Sequence, residues 1–258
     1  MTNSIPPLIL PDWPAPSGVR ACITTRGEVQ ADNPYSGFNL ALHTGDDPDQ
    51  VAGRREQLCQ QLGLSRPPQW LEQVHGTRLI EARDDGLVRT ADGAFSRTPG
   101  IACSVLTADC LPVLFCSRDG GWVAAVHAGW RGLADGILSG TLDSWGGAPD
   151  DLLVYLGPAI SHAAFEVGVE VLETFFETAR DADHSEKIAQ AFRPGKRPLH
   201  FFADLYALAR AELASHGVTA IYGGDFCTFT EAQRFYSFRR DRVTGRMASL
   251  IWLESPAS

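Results

Sequence analysis

Cys110 and His127 are the first residues whose type and spacing could do chemistry. Each closes one end of a short apolar run, residues 111–116 and 122–127, and Ser117-Arg118-Asp119-Gly120-Gly121 between the runs is turn chemistry. A hairpin turning about Ser117–Gly120 opposes residues whose numbers sum to about 237, which sets Cys110 against His127. Opposed side chains start from Cβ atoms ~4.5–5.5 Å apart. Zinc takes a thiolate at ~2.3 Å and an imidazole nitrogen at ~2.0–2.1 Å, so two facing side chains can supply both. Taken singly, a strand-edge cysteine also fits a buried inert thiol, and a lone histidine fits a hydrogen-bonded structural role. Asp109 precedes the cysteine, and Ala128-Gly129-Trp130-Arg131-Gly132 follows the histidine just before a helix. Two glycines and an arginine there suit a phosphate or another anion, or else a tight turn with a solvated arginine.

The elements that must position these residues are a mixture of strands and helices. Residues 101–107, 111–116, 122–127 and 152–156 are apolar runs of strand length. Residues 218–222, 235–238 and 247–253 add further strands. Helical spacing appears at residues 49–64, at 133–146, at 169–179 and at 204–216. In the last of these Leu205, Leu208, Ala209 and Leu213 form the stripe, Asp204 caps the start and Gly217 ends it. Strands and helices intermix rather than alternate strictly, so an α/β or α+β fold with mixed sheets is expected.

At 258 residues the chain admits one large domain or two small ones. Its net charge of −9 argues against a nucleic-acid-binding face and leaves room for a local arginine pocket. Residues 1–10 carry no basic start and are broken by Pro6 and Pro7, unlike a signal peptide, and no apolar run reaches the ~20 residues of a membrane helix. The six cysteines form no CxxC pair, which fits reduced thiols and a cytoplasmic setting.

Longer motifs resemble the laccase-domain (YfiH-like) family. They are Trp70-Leu71-Glu72-Gln73-Val74-His75-Gly76, Thr107-Ala108-Asp109-Cys110-Leu111-Pro112-Val113 and Val126-His127-Ala128-Gly129-Trp130-Arg131-Gly132. Thr24-Thr25-Arg26, Asn39-Leu40, Gly45-Asp46-Asp47, Leu156-Gly157-Pro158-Ala159-Ile160, Phe165-Glu166-Val167-Gly168, Phe238-Arg239-Arg240-Asp241 and Thr244-Gly245-Arg246 extend the likeness along most of the chain. The resemblance implies a single-domain four-layer α/β/β/α sandwich with mixed sheets, occupying residues 1–258 with its core between about 20 and 253. It implies a metal held by His75, Cys110 and His127, and His75 enters the site only through this resemblance. It implies a zinc-dependent purine nucleoside phosphorylase for adenosine, inosine and methylthioadenosine, with an accompanying adenosine deaminase activity.

In that setting Arg131, Arg26 and Arg55 are the expected phosphate holders, Asn39 a substrate hydrogen-bonder and Asp109 the acid that protonates the leaving base. His75, Cys110 and His127 form the catalytic centre with Asp109. Two alternatives use the same residues. One is an amidase-type hydrolase editing peptidoglycan precursors, with Cys110 as nucleophile and a histidine as base. The other is copper-dependent polyphenol oxidation, because His₂Cys is also a blue-copper ligand set. Against copper stand the scarcity of methionine (Met1 and Met247) and the lack of any His-x-His pair. Partners are expected to be small molecules, with neither nucleic acid nor membrane, and the protein a monomer or weak oligomer. The chain departs from the family pattern at Glu28-Val29-Gln30, at Arg54 where asparagine is usual, and at Ser161-His162.

Overall fold

In the computed structural model, residues 6–28 and 33–255 are described, so Met1 and the Val29-Gln30 departure lie outside the described residues. The centre is a six-stranded mixed sheet in the order Ile221–Gly223, Leu152–Leu156, Leu111–Ser117, Val123–Ala128, Gly93–Ser96, Leu79–Glu81. Its two outermost pairings are parallel and the three between them antiparallel. A second, antiparallel sheet is ordered Val19–Ile23, Met247–Leu253, Cys103–Thr107.

Side-chain alternation explains the layers. Leu111, Val113 and Phe115 face one way with Ala124 and Val126, and pack with Leu133, Ile137, Leu138, Leu208 and Leu213 from helices. Leu114, Cys116, Val123 and Ala125 face the other way, against Ile23, Val105 and Ile251 of the smaller sheet. That sheet's far side, through Cys22, Leu106, Leu250 and Trp252, packs on Leu58 of the helix Pro48–Leu62. The stack is helix, sheet, sheet, helix, the four-layer arrangement expected. It follows from period-2 strands that are apolar on both faces and therefore need a cover on each.

Several elements lie close to expectation. The helix Pro48–Leu62 is capped by Asp47 and closed by left-handed Gly63, and Leu205–Ser215 starts on the Asp204 cap. Others differ for local reasons. The helix expected over 133–146 is two, Trp130–Ala134 and Ile137–Trp145, because Gly136 adopts φ 91° between them. Residues 235–238 are not a strand. The Phe235 N–H goes to Glu231 O and the Tyr236 N–H to the Met247 sulfur, while Ser237 caps a short helix, Phe238–Asp241.

The hairpin register also shifts. Pro112 opposes His127 and Leu111 opposes Ala128, so paired numbers sum to 239. The tip lies one residue later than expected because Ser117 pairs with Trp122: Ser117 N–H donates to Trp122 O, and Ser117 Oγ accepts from the N–H groups of Gly121 and Trp122. A change of two in the sum preserves the face. By extension of the ladder, Cys110 is a diagonal neighbour of His127 rather than directly opposite, and both belong to the inter-sheet side.

Ser117→Ala removes the buried hydroxyl that gathers this turn. We expect urea denaturation to show a loss of about 1–3 kcal/mol, with the metal-binding stoichiometry of the folded protein unchanged.

Candidate metal centre

His75, Cys110 and His127 place one ligand atom each within 4.8 Å of one another. Cys110 Sγ is 3.8 Å from His75 Nε2, and the two imidazole rings stand edge to face with centroids 4.8 Å apart. A tetrahedral zinc with thiolate and imidazole bonds of ~2.3 and ~2.05 Å sets sulfur and nitrogen about 3.6 Å apart, so the donors fit with small adjustments. Burial is graded: His127 is buried, Cys110 half-buried and His75 exposed, which leaves the His75 side open to solvent.

Three different devices aim the three side chains. His127 lies on the buried strand Val123–Ala128. Its ring Nδ1 is 2.8 Å from Asp92 Oδ1, and its N–H donates to Asp92 O, leaving Nε2 for the cluster. His75 lies on a loop at φ 62°, a conformation uncommon for a non-glycine residue. The same Asp92 carboxylate holds it there, accepting from the N–H groups of Val74, His75 and Gly76 at 3.2, 2.9 and 2.7 Å. Gln73 pins the loop from the other side by exchanging side-chain hydrogen bonds with the backbone of Leu106. Cys110 follows Asp109, which is itself at φ 95°. Gly129 completes the fit, since a Cβ there would lie 2.9 Å from the His75 ring and 3.4 Å from the Cys110 sulfur.

The electrostatics favour a thiolate. Burial alone would raise the Cys110 pKa, but His127 and His75 outweigh it and the net direction is down. Burial would likewise lower the His127 pKa, yet Cys110 and Asp92 bring it up. Burial also works against the Asp92 carboxylate, and its hydrogen bonds to His127, Gly76 and Val74 reverse that, leaving its pKa below the ordinary value. The buried thiols of Cys22 and Cys116 have no imidazole beside them, and burial pushes both up to about 12, against a smaller downward pull of Arg118 on Cys116.

The other expected residues are distributed differently. Asp109 is adjacent to the centre, but its carboxylate is engaged by the chain: Thr228 Oγ1 donates at 2.6 Å, Ser237 Oγ at 3.0 Å and Arg239 N–H at 2.6 Å. Three donors fit an anchor better than a proton donor. Asn39 is fully buried, and its amide is occupied by Ala41, Thr44, Asp46 and the Arg246 N–H, which makes it an organiser rather than a substrate contact. Arg54, one departure from the family pattern, buttresses it through Asp46 at 2.7 Å. Ser161, another departure, donates to Cys227 Sγ at 3.0 Å. Arg131 is exposed and stacked 4.4 Å over Trp130, on a helix of only five residues. Arg26 is buried against the Tyr236 ring, with Asp241 3.9 Å away.

Arg55 and Arg246 both lie within electrostatic reach of His43, a pair of cations that forms a lip there. The Arg55 guanidinium lies 4.0 Å over Trp70, its Nε donates to Leu40 O, and burial lowers its pKa to about 10. Arg246, not singled out in the sequence, is depressed by burial and acts electrostatically on Cys110 and Asp109. Burial, Arg246 and Arg55 together lower the pKa of His43. Among the described residues, neither Arg55 nor Arg246 has a carboxylate ion-pair partner. Asp92, Arg246 and His43 were missed because none lies beside Cys110 or His127 in sequence. Asp92 alone carried a faint signal, as an acid at a strand start before Gly93.

Comparison with known proteins now bears on the class of this centre. The family model described as multi-copper polyphenol oxidoreductase laccase matches residues 20–254, and the chain belongs to that laccase-domain family. It is 52% identical to a Pseudomonas aeruginosa protein named purine nucleoside phosphorylase PA4543, over 95% of this chain and 98% of that one. It is 49% identical to purine nucleoside phosphorylase YfiH of Escherichia coli K12, with the same coverage. Among solved structures it resembles Neisseria meningitidis protein NMB0706 (46% identity, TM-score 0.89, 96% and 99% of the two chains). It also resembles YlmD from Geobacillus stearothermophilus (30% identity, TM-score 0.83, 93% of each chain). No helix among the described residues is long and apolar enough to cross a membrane.

Asp92→Asn keeps the shape of the hub and removes its charge. Chelator competition is expected to show zinc affinity lowered about 10- to 100-fold. The folded pKa of Asp92 lies below its unfolded value, so its contribution to stability is complete above that value and is lost as pH falls through the folded one. The stability gap between metal-free wild type and variant should therefore narrow below about pH 4. In metal-free protein, iodoacetamide should modify Cys110 near neutral pH while Cys22 and Cys116 stay unreactive until unfolding, and added zinc should suppress the reaction.

Proposed function

We propose that this protein is a zinc-dependent purine nucleoside phosphorylase, with His75, Cys110 and His127 as the metal ligands. The observation that carries the reading is the joining of the three-donor cluster to a two-arginine lip lacking carboxylate partners, in a chain whose relatives bear that name. Phosphorolysis needs a place for an anion beside the reacting centre. A phosphate oxygen bonds to the anomeric carbon while the glycosidic C–N bond breaks, and its electron pair leaves with the purine, which takes up a proton.

Bound zinc would act as a Lewis acid toward an oxygen of the substrates. The rest falls to the chain's own groups. Arg246 and Arg55 hold the phosphate by charge-assisted hydrogen bonds, and His43, whose pKa is lowered by burial and by both arginines, adds a further hydrogen-bonding group. Asp92 fixes the orientation of His127 and His75. Asp109 ties the Cys110 segment to the Ser237–Arg239 turn and positions rather than reacts. Adenosine, inosine and methylthioadenosine fit one such site, since they share the purine and the anomeric centre. Deamination of adenosine would use the same cluster without phosphate.

The family's description as a multi-copper polyphenol oxidoreductase laccase favours a second reading, copper-dependent oxidation. Against it, Met247 accepts the Tyr236 N–H at 3.1 Å and packs with Ala108 and Phe235, so its sulfur is not placed as an axial ligand. His75, Cys110 and His127 are also the single metal-capable group among the described residues, whereas multicopper chemistry needs more.

The test is product analysis with adenosine and inosine, each with and without phosphate, on zinc-loaded, copper-loaded and metal-stripped protein. We expect free purine base only with zinc and phosphate, and loss of at least about 100-fold in Cys110→Ala, the scale of removing a group from the reacting centre. Arg246→Ala should raise the KM for phosphate about 10-fold or more, the worth of one charge-assisted hydrogen bond. Full activity of metal-stripped protein, or oxidation of phenols only when copper-loaded, would overturn the proposal. Persistence of metal-free amide hydrolysis on peptidoglycan precursors would instead identify Cys110 as a nucleophile.

A further inference from the structure

Phe238 is 48% exposed, yet its position is among the most firmly held near the centre. It opens the short helix Phe238–Asp241, and the residues on either side are both fastened to one carboxylate oxygen. Ser237 Oγ and the Arg239 N–H donate to Asp109 Oδ2 at 3.0 and 2.6 Å. Ser237 Oγ also accepts from the Arg240 N–H, and the Arg240 guanidinium ties the turn to the carbonyls of Thr228, Phe229 and Phe235. The other oxygen of Asp109 is taken by Thr228.

Asp109 adjoins Cys110 in the chain, so the lock that positions this ring is continuous with a residue of the metal centre. On its other flank the ring meets Arg246, whose guanidinium carbon is 5.8 Å from the ring centroid. That is the same guanidinium that acts on Cys110 and forms the cationic lip. The backbone that carries this exposed ring is fixed by the bonds to Asp109, and the ring lies against Arg246. An aromatic face so held suits a flat, polarisable ring system, because stacking needs area and fixed orientation and tolerates different ring substituents. The aliphatic neighbours of two other site residues, Val74 beside His75 and Leu42 beside His43, are exposed as well.

We propose that Phe238 is the stacking platform for the heterocyclic base of the nucleoside substrate. This rests on the reading of the protein as a purine nucleoside phosphorylase and names the residue that holds the base. Stacking takes no part in bond making. Its loss therefore weakens nucleoside binding and leaves the phosphate contacts of Arg246 and Arg55 in place.

The test uses zinc-loaded protein and 2-aminopurine riboside, whose fluorescence is quenched by aromatic stacking. Wild type is expected to quench the probe. Phe238→Leu should lose the quench and bind about 5- to 150-fold more weakly, the range of a single base–aromatic contact. Phe238→Trp should retain both. In turnover, Phe238→Leu should raise the KM for the nucleoside by a similar factor while the KM for phosphate changes less than about twofold. Unchanged melting temperature in both variants would show that the fold is intact, as expected for a half-exposed position. If Phe238→Leu binds and quenches like wild type, or if the KM for phosphate rises equally, the proposal is overturned. If wild type stacks the probe through Phe238 but releases no purine base with phosphate, the platform stands and the phosphorolysis reading falls.

Discussion

The buried carboxylate of Asp92 is the constraint on which the centre depends. It accepts from the N–H groups of Val74, His75 and Gly76 and from the His127 ring. One fully buried group thereby joins a loop to a core strand and orients two of the three donors. A carboxylate in such a place is costly unless each oxygen is saturated, and here the four donors supply that saturation. They also make it irreplaceable by a neutral apolar side chain, which would strand three backbone N–H groups at about 1–3 kcal/mol each. The unusual φ of His75 follows from the same cause. Three successive N–H groups converge on an anion only when the chain curls, and the curl needs a left-handed residue.

Asp109 repeats the device on the opposite side. It lies at positive φ itself, as His75 does, and like Asp92 it gathers donors from distant segments, near residues 228 and 237–239. The two carboxylates divide the work: Asp92 orients imidazoles, and Asp109 brings the Ser237–Arg239 turn and its aromatic ring to the cysteine. Asn39 plays the neutral counterpart, binding the Arg246 N–H through Oδ1 and Asp46 through Nδ2. All three are buried polar residues whose hydrogen bonds are local to the site. The inter-sheet core contributes shape, and these polar hubs contribute direction.

This division explains which parts could be read in the sequence. Apolar alternation in residues 111–116 and 152–156 fixed the strands, and capping residues such as Asp47, Asp204 and Gly63 marked helix ends, because these are local preferences. The hairpin sum was off by two, since the Ser117 hydroxyl moves the tip, yet the face of Cys110 and His127 survived because parity is insensitive to an even change. Residues 235–238 carried a strand-like composition and became a capped turn, because Glu231 and Met247 take the backbone donors of Phe235 and Tyr236 while Asp109, more than a hundred positions earlier, holds the Ser237 hydroxyl. The motif resemblance brought His75 to the cysteine. It could not distinguish Arg131, stacked on its own neighbour, from Arg246, which closes the Thr244-Gly245-Arg246 motif without a sign of which site it faces. Asp92 showed only as an acid at a strand start, since its four donors come from two segments that meet only in the folded chain.

The placement of charge supplies the last step. In a protein of net charge −9, arginines readily find carboxylates. Arg54, Arg89 and Arg240 each do so, with Asp46, Asp85 and Asp241. Arg55 and Arg246 instead direct hydrogen bonds to backbone carbonyls, Leu40 for the first and Thr244 and Gly245 for the second, and stack against Trp70 and Phe238. Carbonyl and ring contacts fix a guanidinium in space without neutralising it, so its positive field persists where a carboxylate would cancel it. Arg246 and the Cys110 sulfur interact electrostatically, and both arginines add to burial in lowering the pKa of His43. The negative groups of the centre, the Cys110 sulfur and the Asp92 carboxylate, are matched to the imidazoles and buried N–H groups, so the two arginines keep their charge unpaired. Burial works against both arginines, a cost that an entering anion relieves.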